Sequence, residues 1–408
     1  MTDNYNTEPM YPSSPHQQGK LVLGQTQRPQ RRPYQYQAQQ PTQLAQPPAL
    51  APQRAQSGRP RSLPRLQQAK RRKRGGRGRV LVAVLVVLIL LGVIITTTQR
   101  VLAFGSAIST QPPLSTQTLY MNTLDRVNLL VMGYGGGTHD GANLTDSMLV
   151  MSLLPLSHHT SLISVPRDLW IQYPPNSGQF AKLNTVYQSG SNNGQNPQAG
   201  GDAAAQKVSL ITGLDVRYWM TINFTGFREL INSIGGINVY VPDSFNACYP
   251  KNDDANVDAS WIKVQFNKGM QHMDGETAIR YARAREPLDT CGMGTSENLA
   301  ELTDFGRSAR QQIIIKAVLA QIKQISTWPK LLDATTALQH TIYTNLSLAD
   351  LAEFSSKMDL NDAHTAHIGL SNDNVLQDQT SNDGQQILLP QNNNWQAIVD
   401  YIQQNLYN

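Results

Sequence analysis

From Val127 onward the chain alternates short apolar runs with polar, glycine-bearing breaks. VNLLVMGYG, SMLVMSLLPL and TSLISVPRDL each hold an unbroken apolar stretch of strand length, and VRYWMTINF and INVYVP follow at wider spacing. Strands that are apolar throughout, rather than alternating, are those buried on both faces. Helical periodicity separates and follows them. TGFRELINSIGG is closed by Gly235 and Gly236, which suit a C-terminal cap. TDFGRSARQQIIIKAVLAQIKQI is a long helix with Thr303 or Asp304 as N-cap. LSLADLAEFSSKM and NWQAIVDYIQQNLY are later amphipathic helices. KGMQHMDGETAIRYARAR reads as a turn, a helix start and then a strand. The pattern predicts an α/β fold: a mixed central sheet covered by helices on both faces, α-β-α in layers. Ile313, Ile314, Ile315, Val318, Leu319 and Ile322 fall at helical spacing, which favours core over a lipid groove. Segment 188–202 reads as a flexible lid or rim, or as an inert insertion.

Ahead of this lies a different kind of sequence. Residues 1–69 are rich in Gln, Pro, Arg and Ser without apolar periodicity, the composition of a disordered tail. Lys70–Arg79 carries seven positive charges in ten residues and abuts VLVAVLVVLILLGVII. With TTT behind it, this makes 19 residues without a charge, near the ~20 that cross a hydrocarbon core. The basic flank sets the tail in the cytoplasm and residues from about 100 outside. The expected organisation is a basic cytoplasmic tail at 1–79, a transmembrane helix at 80–99, a juxtamembrane linker at 100–122, a main domain at 123–328, and a C-terminal part at 329–408. That last part either completes the fold or forms a small subdomain.

Charge is unevenly spread. The tail holds 15 Lys and Arg against two acids, whereas the whole chain has 34 against 29. The outer part is therefore net negative, with no general affinity for nucleic acid. Its only cysteines, Cys248 and Cys291, are a candidate disulfide in an oxidising compartment, or two free thiols.

No nucleophile elbow, zinc-protease helix or P-loop lysine motif occurs. Arginines instead stand at element ends. Arg167 leaves an apolar run in SVPRD. Arg283 and Arg285 in YARAR would share one face of a strand. Arg307, Arg310 and Gln311 can share the first turns of a helix. Lys182 and Asn184 lie in AKLNTVY. Guanidinium forks suit phosphate oxygens. Two readings are level on spacing alone: a diphosphate clamp, or separate ion pairs with Asp168, Glu286, Asp289 and Asp304.

These blocks resemble the LytR–CpsA–Psr family of bacterial cell envelopes, over roughly Val127–Gln312. The matching stretches are LTDSMLVMSL, SVPRD, KLNTVY, GFRELINSIGGINVYVP, GETAIRYARAR and DFGRSARQQ. The resemblance implies a membrane-anchored extracytoplasmic phosphotransferase. It would move a glycopolymer from a polyprenyl-pyrophosphate carrier to peptidoglycan through a phosphodiester, with Mg2+ (or Mn2+) as cofactor. Arg167, Arg283, Arg285, Arg307 and Gln311 would contact the pyrophosphate, and Asp146 would bind metal. Lys182, Asn184 and Arg310 would assist binding, and Asp168 and Asp304 would orient arginines. Relatives carry an aspartate shortly after the first strand and an arginine two residues before the metal aspartate. Gly135 and Leu144 stand there in this chain, and Asp140 is the candidate to replace the lost carboxylate. A polyprenyl-pyrophosphate hydrolase and a non-catalytic binder of anionic lipid are the alternative functions.

Overall fold

Val127–Tyr134 (β1) sends alternate side chains in opposite directions, and both directions are buried. Leu130 and Met132 enter one core; Val127 and Leu129 enter another. The same division recurs in Thr145–Leu154 (β2), where Met148 and Val150 oppose Leu149, Met151 and Leu153, and in His159–Ser164 (β3), where Ile163 opposes Leu162. This two-sided burial explains why the strands are apolar throughout. The computed structural model describes residues 76–111, 121, 123–254, 256–360 and 364–406. The expected disordered tail therefore lies outside the described residues up to position 75.

The remaining elements follow in chain order. Gly76–Ile108 (α1) precedes the sheet. Trp170–Gln172 (β4) and Phe180–Lys182 (β5) form a hairpin, followed by Thr185–Gly190 (α2) and Pro197–Thr212 (α3). Next come Val216–Asn223 (β6), Phe224–Ser233 (α4), Ile237–Val241 (β7), Phe245–Pro250 (β8), Trp261–Phe266 (β9), Gly269–Met273 (β10) and Gly275–Arg283 (α5). The chain continues with Asp304–Ile322 (α6), Trp328–Leu338 (α7), Ile342–Thr344 (β11), Leu348–Lys357 (α8) and Thr365–Gly369 (β12). It closes with Leu376–Thr380 (β13), Gln386–Pro390 (β14) and Trp395–Asn405 (α9).

The main sheet has the order β11-β6-β1-β2-β3-β12. It is mixed: β1 is antiparallel to β2 but parallel to β6, and β12 is parallel to β3. Helices α2, α3 and α9 cover one face, and α6 and α8 the other, as the α-β-α expectation has it. A further core lies among β7, β8, β9, β10, α4 and α5. Helix α6 is wedged between two cores. Ile314 and Val318 face the β7–β10 side, while Ile315 and Leu319 face the main sheet. All six apolar residues singled out on this helix pack against one core or the other, Ile314 and Val318 buried and the rest partly buried.

Of the two alternatives for residues 329–408, completing the fold is the one seen: they supply both edge strands of the main sheet and two covering helices. Two expectations need correction. The stretch expected to be a linker from 100 continues α1 to Ile108, where Phe104 and Ile108 pack on Leu338 and Ile342. Segment 188–202 is no lid. It runs from the end of α2 through a turn into α3, which holds Gly200 and Gly201, and a Cβ on Gly201 would meet the Trp219 ring at 2.2 Å, so the helix needs glycine there to approach the sheet. Trp219 Nε1 also donates to Asp202 at 2.7 Å.

Candidate active site

The β2–β3 register pairs Leu149 with Ser164, and Val165 N–H still donates to the Met148 carbonyl at 3.0 Å beyond the last paired residue. Extended three residues, that register sets Asp146 opposite Arg167. Arg167 Nη1 accordingly donates to Asp146 Oδ1 at 2.5 Å, and its Nε reaches Asp168 at 3.3 Å. Asp168 is also held by Lys182 at 2.8 Å from the β4–β5 hairpin. Burial alone would raise the Asp168 pKa, but Arg167 and Lys182 outweigh it and hold the carboxyl below its usual range. Arg167 is buried too, yet Asp146 and Asp168 keep its pKa above the ordinary value.

Helix α6 brings the next member. Thr303 caps it by accepting from Gly306 N–H at 3.1 Å, as expected from the sequence, and this orients the first turn toward Arg167. Arg307 bonds Asp304 at 2.9 Å, and its Nε is buried without a hydrogen-bond partner. Burial, together with the guanidiniums of Arg167 and Arg285, pulls the Arg307 pKa down to about 10, so it stays charged at neutral pH but in a field that disfavours its charge. Arg285 pairs with Glu286 at 3.0 Å and comes within 4.0 Å of Asp304.

Arg167, Asp168, Lys182, Arg285, Glu286 and Asp304 line one cleft of about 490 Å3. A narrower recess continues from it, lined by Asp146, Arg167, Arg307 and Gln311 with the apolar Met148, Val165, Phe305 and Leu388. Asp378, Gln386, Ile387 and Leu388 of the β13–β14 hairpin supply a further wall of the cleft. That wall was not foreseen. Leu388 N–H is tied to the Asp168 carbonyl at 3.0 Å, a contact between residues 220 positions apart that no local pattern signals.

Not every expected residue arrives. Arg283 and Arg285 do not share a strand face, because Gly275–Arg283 is helical and ends just before Ala284. Arg283 turns to Asp253 at 2.6 Å and Tyr249 Oη at 2.9 Å, and lies 3.8 Å from the centre of the Phe224 ring. Arg310 is 1% exposed and donates from Nε to the Tyr281 carbonyl at 2.7 Å, with further bonds to the Ala284 and Glu301 carbonyls. It buttresses the α5–α6 junction and does not line the cleft. Asn184 is buried beside Thr145, and its side chain lines neither cavity. Asp140 is exposed in the 135–144 loop and lines neither. Cys248 and Cys291 form a disulfide, with Cα atoms 6.4 Å apart.

The LytR_cpsA_psr family model matches residues 93–400. The chain belongs to this family. Among curated members, polyisoprenyl-teichoic acid–peptidoglycan teichoic acid transferase TagV of Bacillus subtilis (strain 168) is 28% identical over 207 residues, 50% of this chain and 46% of that protein. TagU of Bacillus mycoides (strain KBAB4), with the same descriptive name, is 25% identical over 231 residues, 57% of this chain and 64% of that one. The chain thus spans about half of TagV and under two thirds of TagU. The crystal structure of B. subtilis TagV aligns with a TM-score of 0.50 at 22% identity, covering 70% of this chain and 98% of its own. Protein gbs0355 from Streptococcus agalactiae aligns with a TM-score of 0.51 at 22% identity, covering 71% and 91%. These two establish the family fold for the sheet and its covering helices.

Whether the site suits a divalent cation can be tested on its donors. Among the described residues no three His, Cys, Asp or Glu side chains form a ready-made metal cage. Mg2+ does not need one, since it takes one or two carboxylates and completes its shell with phosphate oxygens and water. The two cavities present five carboxylates against four cations: Asp146, Asp168, Glu286, Asp304 and Asp378 against Arg167, Lys182, Arg285 and Arg307. Were a diphosphate to bind there, the balance would be strongly negative and a divalent cation would offset it. The donor set fits Mg2+ or Mn2+ on this ground.

Proposed function

We propose that the protein is an extracytoplasmic phosphotransferase that joins a glycopolymer, delivered on a polyprenyl-pyrophosphate carrier, to peptidoglycan through a phosphodiester. The observation that carries this reading is the convergence of Arg167, Lys182, Arg285 and Arg307, from four separate segments, on two adjoining cavities that share Arg167, Asp168, Asp304 and Leu388. The named activities of TagV and TagU support a teichoic-acid-like glycan and a peptidoglycan acceptor. One helix long and apolar enough to cross a membrane, Val80–Ile108, supports a single-pass anchor. The basic cluster before it supports a cytoplasmic N-terminus, and the disulfide supports an oxidising compartment for the domain.

In the reaction, an acceptor hydroxyl attacks the phosphorus nearer the glycan. The P–O bond to the lipid phosphate breaks, the hydroxyl proton leaves to a base or solvent, and polyprenyl phosphate departs. Arg285 and Lys182 at the open cleft would grip the diphosphate oxygens, and Arg307 at the inner recess would donate its unpartnered Nε to the departing phosphate. Arg167 is held in place by Asp146 and Asp168 before substrate arrives, which limits the reorganisation cost of binding. Asp146 and Asp304 are the carboxylates best suited to hold Mg2+. That ion supplies charge neutralisation on the phosphates.

The test uses the full chain in proteoliposomes with a labelled carrier-linked glycan, with and without peptidoglycan. Label should become covalently fixed to peptidoglycan, and R285A should lower that rate at least a hundredfold. Release of glycan phosphate without attachment would identify a hydrolase instead, and full activity of R285A would overturn the enzymatic reading of this cleft.

A further inference from the structure

The cleft volume of about 490 Å3 lies in the range that holds a complete small ligand, with room beyond a bare diphosphate. What borders Lys182 is informative. In the β4–β5 hairpin Trp170 pairs with Lys182, and Gln172 with Phe180. Residues two apart on a strand share a face, so Trp170, Gln172, Phe180 and Lys182 project together, while Ile171 enters the core. On that shared face the Trp170 and Phe180 rings stack, with centroids 6.5 Å apart and planes inclined by 17°. Phe180 is 54% exposed, so the stack is open to solvent rather than built into the core. A flat aromatic surface therefore begins one residue pair from the cation that lines the cleft. Asp378 and Gln386 also line the cleft and offer carboxylate and amide groups.

We infer that Trp170 and Phe180 form a saccharide platform, which receives a pyranose ring of the glycan attached to the diphosphate. A pyranose has faces of C–H bonds and a rim of hydroxyls. The C–H face meets the electron-rich face of an aromatic ring, a weak but additive contact. The rim finds acceptors and donors in Asp378, Gln386 and Gln172. A sugar linked to the diphosphate must lie within one ring's reach of it, and Trp170 is the cross-strand partner of Lys182, which lines the cleft. This assignment rests on the carrier-linked glycan being the substrate.

The test uses the full chain in proteoliposomes carrying the double substitution W170A/F180A. The KM for carrier-linked glycan should rise about tenfold or more, in keeping with the loss of two aromatic contacts. The Kd for inorganic pyrophosphate, measured by calorimetry, should stay unchanged, and W170F/F180Y should restore the KM. An unchanged KM for W170A/F180A overturns the platform. So does a rise confined to the KM for the peptidoglycan acceptor, since the ring would then belong to the acceptor. Failure of the unsubstituted protein to bind pyrophosphate would strike the diphosphate reading itself, a result distinguishable from either.

Discussion

Arg283 and Arg285 are two residues apart and serve different neighbourhoods: Arg283 Nη1 donates to Asp253 at 2.6 Å, whereas Arg285 opens onto the cleft beside Glu286. Asp253 also holds Arg228 at 2.6 Å, so Arg283 belongs to a half-buried network around α4 and α5. R283A should lower unfolding stability by roughly 1–3 kcal/mol, because a partly buried carboxylate loses one of its partners. Its pyrophosphate Kd should stay within about threefold of the unsubstituted value. R285A should do the reverse, with a tenfold or greater rise in Kd and little change in stability. Urea unfolding and calorimetry on both variants separate the two roles.

Arg307 is charged where its surroundings disfavour charge. Neutral R307Q should therefore be as stable as the unsubstituted protein or more so when no anion is present. Pyrophosphate at a hundred times its Kd should stabilise the unsubstituted protein by about 2.7 kcal/mol. That ligand-induced rise should be lost in R307Q. Thermal unfolding with and without pyrophosphate reads both effects, and an equal ligand-induced shift in the two proteins would refute the role.

The Cys248–Cys291 disulfide closes a loop that includes α5 and the segment leading to Arg285. Cys248 N–H also donates to the Glu286 carbonyl at 2.8 Å, so β8 holds the backbone directly after Arg285. On the chain-entropy model a crosslink across 43 positions contributes about 4 kcal/mol. C248S/C291S should be less stable by up to that amount and should bind pyrophosphate several-fold more weakly. Loss of stability with unaltered affinity would show that the crosslink does not position Arg285.

Asp168 titrates below the usual carboxylate range in the folded state because of Arg167 and Lys182. A depressed acid stabilises the fold above its unfolded pKa of about 3.9, and that contribution disappears as pH falls through the lowered folded value. The unsubstituted protein should lose stability more steeply than D168N below about pH 4. Equal acid limbs in urea titrations of the two proteins would remove Asp168 from this role.

The sheet was legible because two-sided burial leaves a local mark, an unbroken apolar run. The cap of α6 was legible for the same reason, since Thr303 acts on Gly306 three residues away. Helix α5 was misread because AIRYARAR also alternates. Ile279, Tyr281, Arg283 and Arg285 fit a strand face, while Gly275, Ala278, Ile279, Tyr281 and Ala282 fit a buried helical stripe. Asp274, which accepts from Thr277 N–H at 2.8 Å, starts the helix and decides between them. Glycines 200 and 201 suggested flexibility, but their cause is Tyr187 and Trp219, which reach them only through tertiary packing. The β13–β14 wall was invisible for a similar reason, as it meets Asp168 across more than half the folded domain's sequence.

Helix α1 runs unbroken to Ile108, and Thr110 N–H then donates to the Thr344 carbonyl at 3.2 Å on the edge strand of the main sheet. The 29 residues from Val80 extend about 43 Å, which exceeds a ~30 Å hydrocarbon core by only a few turns. A stiff stalk of that length is a poor leash. On the proposed single-pass, outward-facing topology, the domain would be docked at a set height above the lipid, so that a proposed wall acceptor next to the bilayer, rather than one in distant layers, would lie within reach.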